Sequence, residues 1–133
     1  MTLQVELVSP ERILYSGDAD MVIARTTDGE IAFMTGHAPF IGSLGVGAVT
    51  IRASDGDDVL AAVHQGFVEV TDDRVTVLSD VAELVDDIDA ARAQQALERA
   101  EQERGSAGDD DEAQREAEAA VRRARLRVEL AGS

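Results

Sequence analysis

The residue pattern changes near position 86, and this change constrains the fold more than any other feature. Before it, short runs rich in β-branched residues are separated by turn-forming residues, and Leu3, Val5 and Leu7 alternate with polar residues as in a strand. After it, Ala, Glu, Gln and Arg dominate, and these residues favour helices. The pattern predicts an α+β chain: a β-sandwich of short antiparallel strands over residues 1–85, then an antiparallel two-helix hairpin over residues 86–133.

Turn chemistry and β-branched runs locate the strands of the first part. Beyond the strand around Val5, the predicted strands are Met21–Ala24, Ile31–Met34, Val46–Ile51, Val59–Val63, Phe67–Val70 and Val75–Leu78. The predicted turns between strands are Ser16–Asp18, Asp28–Gly29, Asp55–Asp58 and Asp72–Asp73. Gly36 and Pro39 indicate a further turn, after which Phe40 and Ile41 should enter the core or a partner surface. With three Phe and one Tyr in the chain, we expect the aromatic side chains in the core.

The second part predicts two helices within residues 88–131, separated by Gly105–Gly108. Each helix has a stripe of small residues that permits close approach of its neighbour. The stripes are Ala93, Ala96, Leu97 and Ala100 in the first helix, and Ala113, Ala117, Ala120, Val121, Ala124 and Val128 in the second. Such stripes bury little apolar area, so we expect the hairpin to dock and undock.

Charge and composition exclude several classes of function. The chain has 12 Arg, 27 acidic residues and a net charge of −15, so phosphate backbones and anionic lipid would repel it. It has no cysteine, which excludes disulfides, thiolate metal sites and a cysteine nucleophile. We find no signal-peptide pattern and no apolar run long enough to span a bilayer, so we expect a cytoplasmic location.

Five short motifs follow one another along nearly the whole chain. They are Asp28-Gly29-Glu30-Ile31, Gly36-His37-Ala38-Pro39, Gly45-Val46-Gly47, Gly66-Phe67-Val68-Glu69-Val70 and Ile88-Asp89-Ala90-Ala91-Arg92-Ala93. Each motif alone is weak. In this order and at these spacings, the sequence closely resembles the epsilon subunits of bacterial F-type ATP synthases. The alignment is least defined in the second helix.

The resemblance implies a non-catalytic subunit of the central stalk of a proton-translocating ATP synthase. The sandwich of such a subunit binds the gamma subunit and rests on the c-ring. Its hairpin permits rotation when folded, and inhibits ATP hydrolysis when it extends toward the beta (and alpha) subunits. The resemblance further implies a peripheral membrane protein on the cytoplasmic side of the cell membrane, without insertion into the membrane.

Glu30 and His37 lie in turns on either side of a predicted strand. The resemblance implies that this end of the sandwich faces the c-ring or gamma subunit, where both side chains could contact polar loops. The alternative is an ordinary hairpin charge and a turn histidine bonded to the backbone. A metal site is not supported, because His37 and His64 are the only histidines and neither belongs to a ligand-spaced cluster.

The motif at the start of the first helix carries a candidate regulatory ATP site. Arg92 and Arg99 are seven positions apart and share a helix face, so both guanidinium groups could contact phosphate oxygens. The resemblance adds an adenine contact, and the complete candidate set is Ile88, Asp89, Arg92, Arg99, Arg122 and Arg125. In the structural alternative, Asp89 caps the helix and pairs with Arg92. Neither interpretation requires a cofactor.

The second helix carries a concentration of positive charge, which we call the basic patch: Arg122, Arg123, Arg125 and Arg127. Leu126 and Leu130 project among these arginines, away from the alanine stripe, so we expect an exposed Leu/Arg face. The resemblance implies an acidic segment of the catalytic beta subunits as its partner. The alternative is a solvated helix end whose charges complement the helix dipole.

Two other classes of function stay open. A free cytoplasmic nucleotide-binding sensor would use the arginines as its main site and would be a stable monomer with tight ATP affinity. A small β-sandwich enzyme would use His37 or His64, although the sequence contains no nucleophile elbow, HExxH motif or phosphate loop. Co-purification with alpha, beta and gamma subunits would favour the stalk subunit over both.

Overall fold

The computed structural model describes residues 2–131, which form nine strands, a short 3-10 turn and two helices. The strands are β1 (Leu3–Val8), β2 (Ile13–Thr26), β3 (Gly29–Phe33), β4 (Phe40–Leu44), β5 (Gly47–Ala53), β6 (Val59–Val63), β7 (Gly66–Thr71), β8 (Arg74–Ser79) and β9 (Ala82–Leu84). The 3-10 turn is Val85–Asp87, and the helices are α1 (Ala90–Ser106) and α2 (Asp111–Ala131). The chain divides into two compact units, the first ending at Leu84 and the second beginning at Val85.

The strands of the first unit form two layers that share β2. Their order is β1–β8–β7–β4–β2–β5–β6–β9, and both β3 and β1 also pair with β2. The N-terminal half of β2 pairs with β1, whereas its C-terminal half pairs with β3 and β5. Between the strands of residues 2–131, all pairings are antiparallel except β1–β8, which is parallel. The predicted α+β fold, a β-sandwich followed by two helices, is confirmed.

The core lies between the layers. It consists of the side chains that point inward, which are every second residue along each strand. In β1, Leu3, Val5 and Leu7 are buried while their polar neighbours are exposed, as the period of two predicts. Phe33 of β3 is the largest fully buried side chain. Aliphatic residues fill the rest, including Val22, Val49, Ile51, Val63, Val68, Val70, Val75 and Val77.

The predicted turn at Ser16–Asp18 is wrong, because these residues lie inside β2. They pair there with Glu6, Val5 and Gln4 of β1. Gly17 suits this position because a Cβ atom on it would lie only 3.1 Å from the hydroxyl oxygen of Tyr15. Ser-Gly-Asp favours a turn locally, but pairing with β1 satisfies the backbone hydrogen bonds and overrides that preference.

The sequence pattern also did not predict strands β4 and β9. Gly42 and Ser43 lower the β-propensity of β4, yet Gly42 fits because a Cβ atom there would approach the ring of Phe40 to 2.7 Å. Ile41 lies outside the core, with 73% of its surface exposed.

The expectation that all aromatic side chains are buried is wrong for Phe67, which is 57% exposed.

In the second unit, α1 and α2 pack against each other through the predicted stripes of small residues. Ala93 and Ala100 of α1 are buried, as are Ala117, Val121 and Ala124 of α2. The remaining members of both stripes are half-buried. No helix within residues 2–131 combines the length and the apolar character needed to cross a membrane.

Candidate functional site

The outer face of the β1–β8–β7–β4 layer carries exposed apolar side chains in register. Pairing places Val8 beside Leu78, and Leu78 beside Phe67. Leu78 is 49% exposed and Phe67 is 57% exposed. We call Val8, Leu78 and Phe67 the apolar row. Cross-strand neighbours that stay this exposed form a contiguous patch of the kind that marks an interaction surface.

A groove of about 420 Å³ opens beside the apolar row. Pro10, Thr27 and Asp80 line it together with the three residues of the row. The next row across the sheet carries Glu6 and Glu69, so acidic side chains border the apolar surface. The sequence pattern contained a signal for this surface: Phe67 and Leu78 stand at outward positions of their alternating strands.

Glu30 and His37 do not come together in the structure. Glu30 lies at the N-terminal end of β3, opposite Arg25 of β2, whereas His37 follows the C-terminal end of the same strand. Three residues of extended strand from Glu30 to Phe33 alone span roughly 10 Å. Glu30 and His37 therefore lie toward opposite ends of β3, and their contact with the c-ring or gamma subunit stays a prediction.

His37 is held within its own turn. Its ring centroid lies 5.0 Å from that of Phe33 and 6.3 Å from that of Phe40. Its Nδ1 lies 2.7 Å from the carbonyl oxygen of Ala38. A carbonyl only accepts, so Nδ1 carries the hydrogen of this bond. This is the backbone-bonded turn histidine that the alternative interpretation describes.

His64 occupies a different environment, directly after the last residue of β6. It is 8% exposed, and its Nε2 lies 3.9 Å from Oε1 of Glu83 on β9. Across residues 2–131, no three His, Asp or Glu side chains are grouped so as to hold a metal ion. His37 lies between β3 and β4, whereas His64 lies between β6 and β7.

Ile88 and Asp89 directly precede the first residue of α1. Ile88 is 9% exposed. Asp89 is the N-cap residue, and its carboxylate accepts a hydrogen bond from the backbone N–H of Arg92 at 3.1 Å. The carboxylate thus satisfies an N–H group that the helix leaves without a partner. The geometry matches the capping role of the structural alternative.

One side of the hairpin carries Arg92 and Arg99. With about 100° between successive residues, Arg99 lies on the same side of α1 as Glu103, one turn further on. Glu103 lines a groove of about 580 Å³ between the helices, and Arg123 of α2 lines it too. Arg92, Arg99 and Arg123 therefore share this side of the hairpin.

Arg122 and Arg125 lie on the other side. The face of α2 that contacts α1 is centred on Val121, between Ala117 and Ala124. At about 100° per residue, Arg122 and Arg125 project to one side of this face and Arg123 to the opposite side. Ideal helix geometry thus turns Arg122 and Arg125 to a different side of the folded hairpin from Arg92 and Arg99. The candidate ATP set, which is Ile88, Asp89, Arg92, Arg99, Arg122 and Arg125, stays a prediction.

The basic patch spreads over more than one side of α2, outside the face that contacts α1. Arg122, Arg123 and Arg125 are exposed, whereas Arg127 is half-buried. Leu126 and Leu130 are also half-buried, so the expected exposed leucines are wrong for this arrangement. Three exposed arginines remain available to a partner.

Comparison with known proteins agrees with this architecture. Residues 2–85 match the beta-sandwich domain of the ATP synthase delta/epsilon chain, and residues 86–132 match its long alpha-helix domain. The chain belongs to the ATP synthase delta/epsilon family. This confirms the resemblance to bacterial epsilon subunits, which are non-catalytic components of the rotary complex.

Individual relatives cover most of the chain. The ATP synthase epsilon chain of Streptomyces griseus is 46% identical over 125 residues, which are 94% of this chain and 97% of the relative. The epsilon chain of Streptomyces avermitilis is 52% identical over 101 residues, covering 76% of this chain and 82% of the relative.

A solved structure shares the fold. In the central stalk and c-ring structure of the Tetrahymena thermophila mitochondrial ATP synthase, one chain superposes with a TM-score of 0.70 at 17% identity. It covers 98% of this chain and 97% of that chain.

Proposed function

We propose that this chain is the epsilon subunit in the central stalk of a proton-translocating ATP synthase, on the cytoplasmic side of the membrane. Its sandwich binds the gamma subunit and rests on the c-ring, and its hairpin regulates ATP hydrolysis. Support comes from relatives named epsilon chains and from the fold shared with a central-stalk assembly.

The apolar row is the observation that carries this proposal. A subunit of the central stalk needs a permanent contact with the other subunits of the rotor. The apolar row offers an exposed Phe and Leu beside a groove. Buried aromatic and aliphatic anchors in a pocket are typical of the centre of a protein interface. We therefore assign the apolar row to the gamma subunit.

Glu30 supports the contact with the c-ring. Its hairpin turn joins β2 to β3, and Thr27 of this turn lines the groove beside the apolar row. The ring contact and the gamma contact would then lie next to each other, as a subunit that couples the two requires. His37 follows the other end of β3 and is the second proposed contact with the c-ring or gamma subunit.

A pair of variants tests the gamma contact. Replacing Phe67→Ser together with Leu78→Ser removes two apolar anchors, each worth roughly 1.5–3 kcal/mol when fully buried. We expect at least tenfold weaker binding of purified gamma subunit, measured by surface plasmon resonance. Both side chains point away from the core, so the melting temperature should change little.

The control pair is Phe67→Leu with Leu78→Met, which keeps the surface apolar and should retain binding. If the serine pair binds the gamma subunit as tightly as the parent, the apolar row is not part of the interface. A parent chain that binds neither gamma nor the assembled complex would contradict the proposed function itself.

The hairpin is the proposed regulatory element. The interface between its two helices consists mostly of alanines, which bury little apolar area, so separating the helices from each other costs little free energy. Its exposed arginines suit an acidic segment of the beta (and alpha) subunits.

A further inference from the structure

The groove beside the apolar row combines apolar walls with one charged residue. Phe67, Leu78 and Pro10 contribute apolar side chains to its lining. Among the described residues that line the groove, Asp80 is the only one with a charge. Such a lining suits a side chain that is apolar along its stem and positively charged at its end, which is the form of arginine and lysine.

The backbone on both sides of Asp80 is held in place by hydrogen bonds. Oγ of Ser79, which precedes it, lies 2.5 Å from the carbonyl oxygen of Gln65 and 2.9 Å from that of Val81. The carbonyl oxygen of Val81 also accepts from the backbone N–H of His64 at 3.1 Å. The exposed Asp80 therefore has a fixed position beside the groove before a partner binds, which lowers the entropic cost of binding.

Asp80 lies within reach of a side chain that packs on the apolar row. It follows Leu78 by two positions, and two residues of extended chain span roughly 7 Å. Leu78 in turn pairs with Phe67 across the sheet. A long cationic side chain can thus lay its stem along Leu78 and Phe67 and bring its charge to the carboxylate of Asp80. The exposed ring of Phe67 also attracts a cation to its face.

Negative charge borders the apolar row on two sides. Exposed Glu6 and Glu69 lie in the next row across the sheet, and exposed Asp80 lies on the side of the groove. A purely apolar partner segment would remove water from these carboxylates without pairing them, which costs free energy. The surface therefore fits an apolar segment that carries basic residues at its edge, because the two potentials are then complementary.

We propose that the groove receives an arginine or lysine side chain of the gamma subunit, with Asp80 as its counter-ion. Phe67 and Leu78 contact the stem of this side chain, and the rest of the gamma segment covers the apolar row. The inference rests on the proposed function, because it specifies the chemistry of the gamma segment that meets this surface. The apolar row supplies contact area, and Asp80 selects a partner with a cation at one position.

The first test removes the charge of Asp80 and keeps its shape. Asp80→Asn should bind purified gamma subunit at least tenfold more weakly than the parent in surface plasmon resonance, because the cation loses a charge-assisted partner. The matched control is Asp57→Asn, which removes an exposed charge between β5 and β6, outside the groove. Its affinity for gamma should stay within twofold of the parent. Asp80 is exposed, so the melting temperature of both variants should change little.

Charge reversal on both subunits identifies the partner residue. Asp80→Arg should repel gamma, and each arginine and lysine of gamma is then replaced with glutamate in turn. One gamma variant should bind Asp80→Arg at least tenfold more tightly than unaltered gamma does, and should bind the parent chain more weakly.

Tight binding of gamma by Asp80→Asn, or the absence of any restoring gamma variant, would overturn the proposal. Failure of the proposed function is a different result, because the parent chain would then bind neither gamma nor the assembled complex.

Discussion

At the scale of the residue, the division of the arginines between two sides of the hairpin determines which of them can act together. Arg92 and Arg99 project toward one side, and Arg122 and Arg125 toward the other, with the alanine interface between them. On this helix geometry, a triphosphate bound beside Arg92 and Arg99 lies away from Arg122 and Arg125. Replacing Arg122→Ala and Arg125→Ala together should therefore leave the response of the isolated chain to ATP unchanged in titration calorimetry.

The matched comparison for this prediction is Arg92→Ala with Arg99→Ala, which removes the same charge from the opposite side. Any ATP affinity supported by the motif at the start of α1 should fall with this pair alone, because each lost charge-assisted bond costs roughly 1.5–3 kcal/mol. A tenfold loss of affinity in the Arg122 and Arg125 variant would instead support the four-arginine site.

Residue roles differ in how far the sequence reveals them. Asp89 is recognisable as a helix cap because its partner is only three residues away. The backbone bond of His37 is similarly local. The carboxylate of Asp73 could not be assigned a partner from the sequence, because that partner, the backbone N–H of Gly36, lies 37 positions earlier and meets it only after the strands pair. Contacts between residues close in sequence can thus be predicted from the sequence, whereas a contact such as that of Asp73 with Gly36, which forms only on folding, cannot.

At the scale of the element, α2 concentrates positive charge on a chain of net charge −15. Reversing it with Arg122→Glu, Arg123→Glu and Arg125→Glu converts attraction to an acidic partner into repulsion. Inhibition of ATP hydrolysis by the assembled enzyme should weaken, and inhibition by the parent should decrease with added salt. Steady-state hydrolysis assays at two salt concentrations measure both effects.

The control reverses three arginines of α1, namely Arg92, Arg99 and Arg104, and should preserve inhibition. Acidic residues near the C-terminal end of α2 also oppose its dipole, so circular dichroism must establish that the α2 variant stays helical. Full inhibition by a helical α2 variant would exclude the basic patch as the contact with the beta subunits.

Elements were predictable where one face of a strand or helix alternates clearly with the other. β6 spans Val59–Val63, as its sequence predicts, and both helices follow their alanine stripes. β2 was predicted only over its C-terminal part, because Ser16–Asp18 has turn chemistry that pairing with β1 overrides. β4 was missed because its Gly and Ser lower its propensity while its neighbours, β7 and β2, hold it in place.

At the scale of the whole molecule, the sequence places two units in series, and each has its own hydrophobic pattern. The buried cluster of the sandwich is drawn from residues 3–77, with Ala82 and Leu84 packed against it. The first unit therefore contains a complete core without any residue of α1 or α2. Units with separate cores of this kind can fold independently.

Ending the chain after Leu84 tests this independence together with the proposed division of roles. The truncated chain should melt cooperatively and bind gamma as tightly as the parent, because the apolar row lies entirely in the first unit. ATP hydrolysis by the assembled enzyme should rise or stay equal, since the basic patch is removed with α2. The matched control combines this truncation with Phe67→Ser and Leu78→Ser. This variant should no longer bind the gamma subunit. A truncated chain that folds but cannot assemble would show that the hairpin, rather than the sandwich, supplies the essential contact with the stalk.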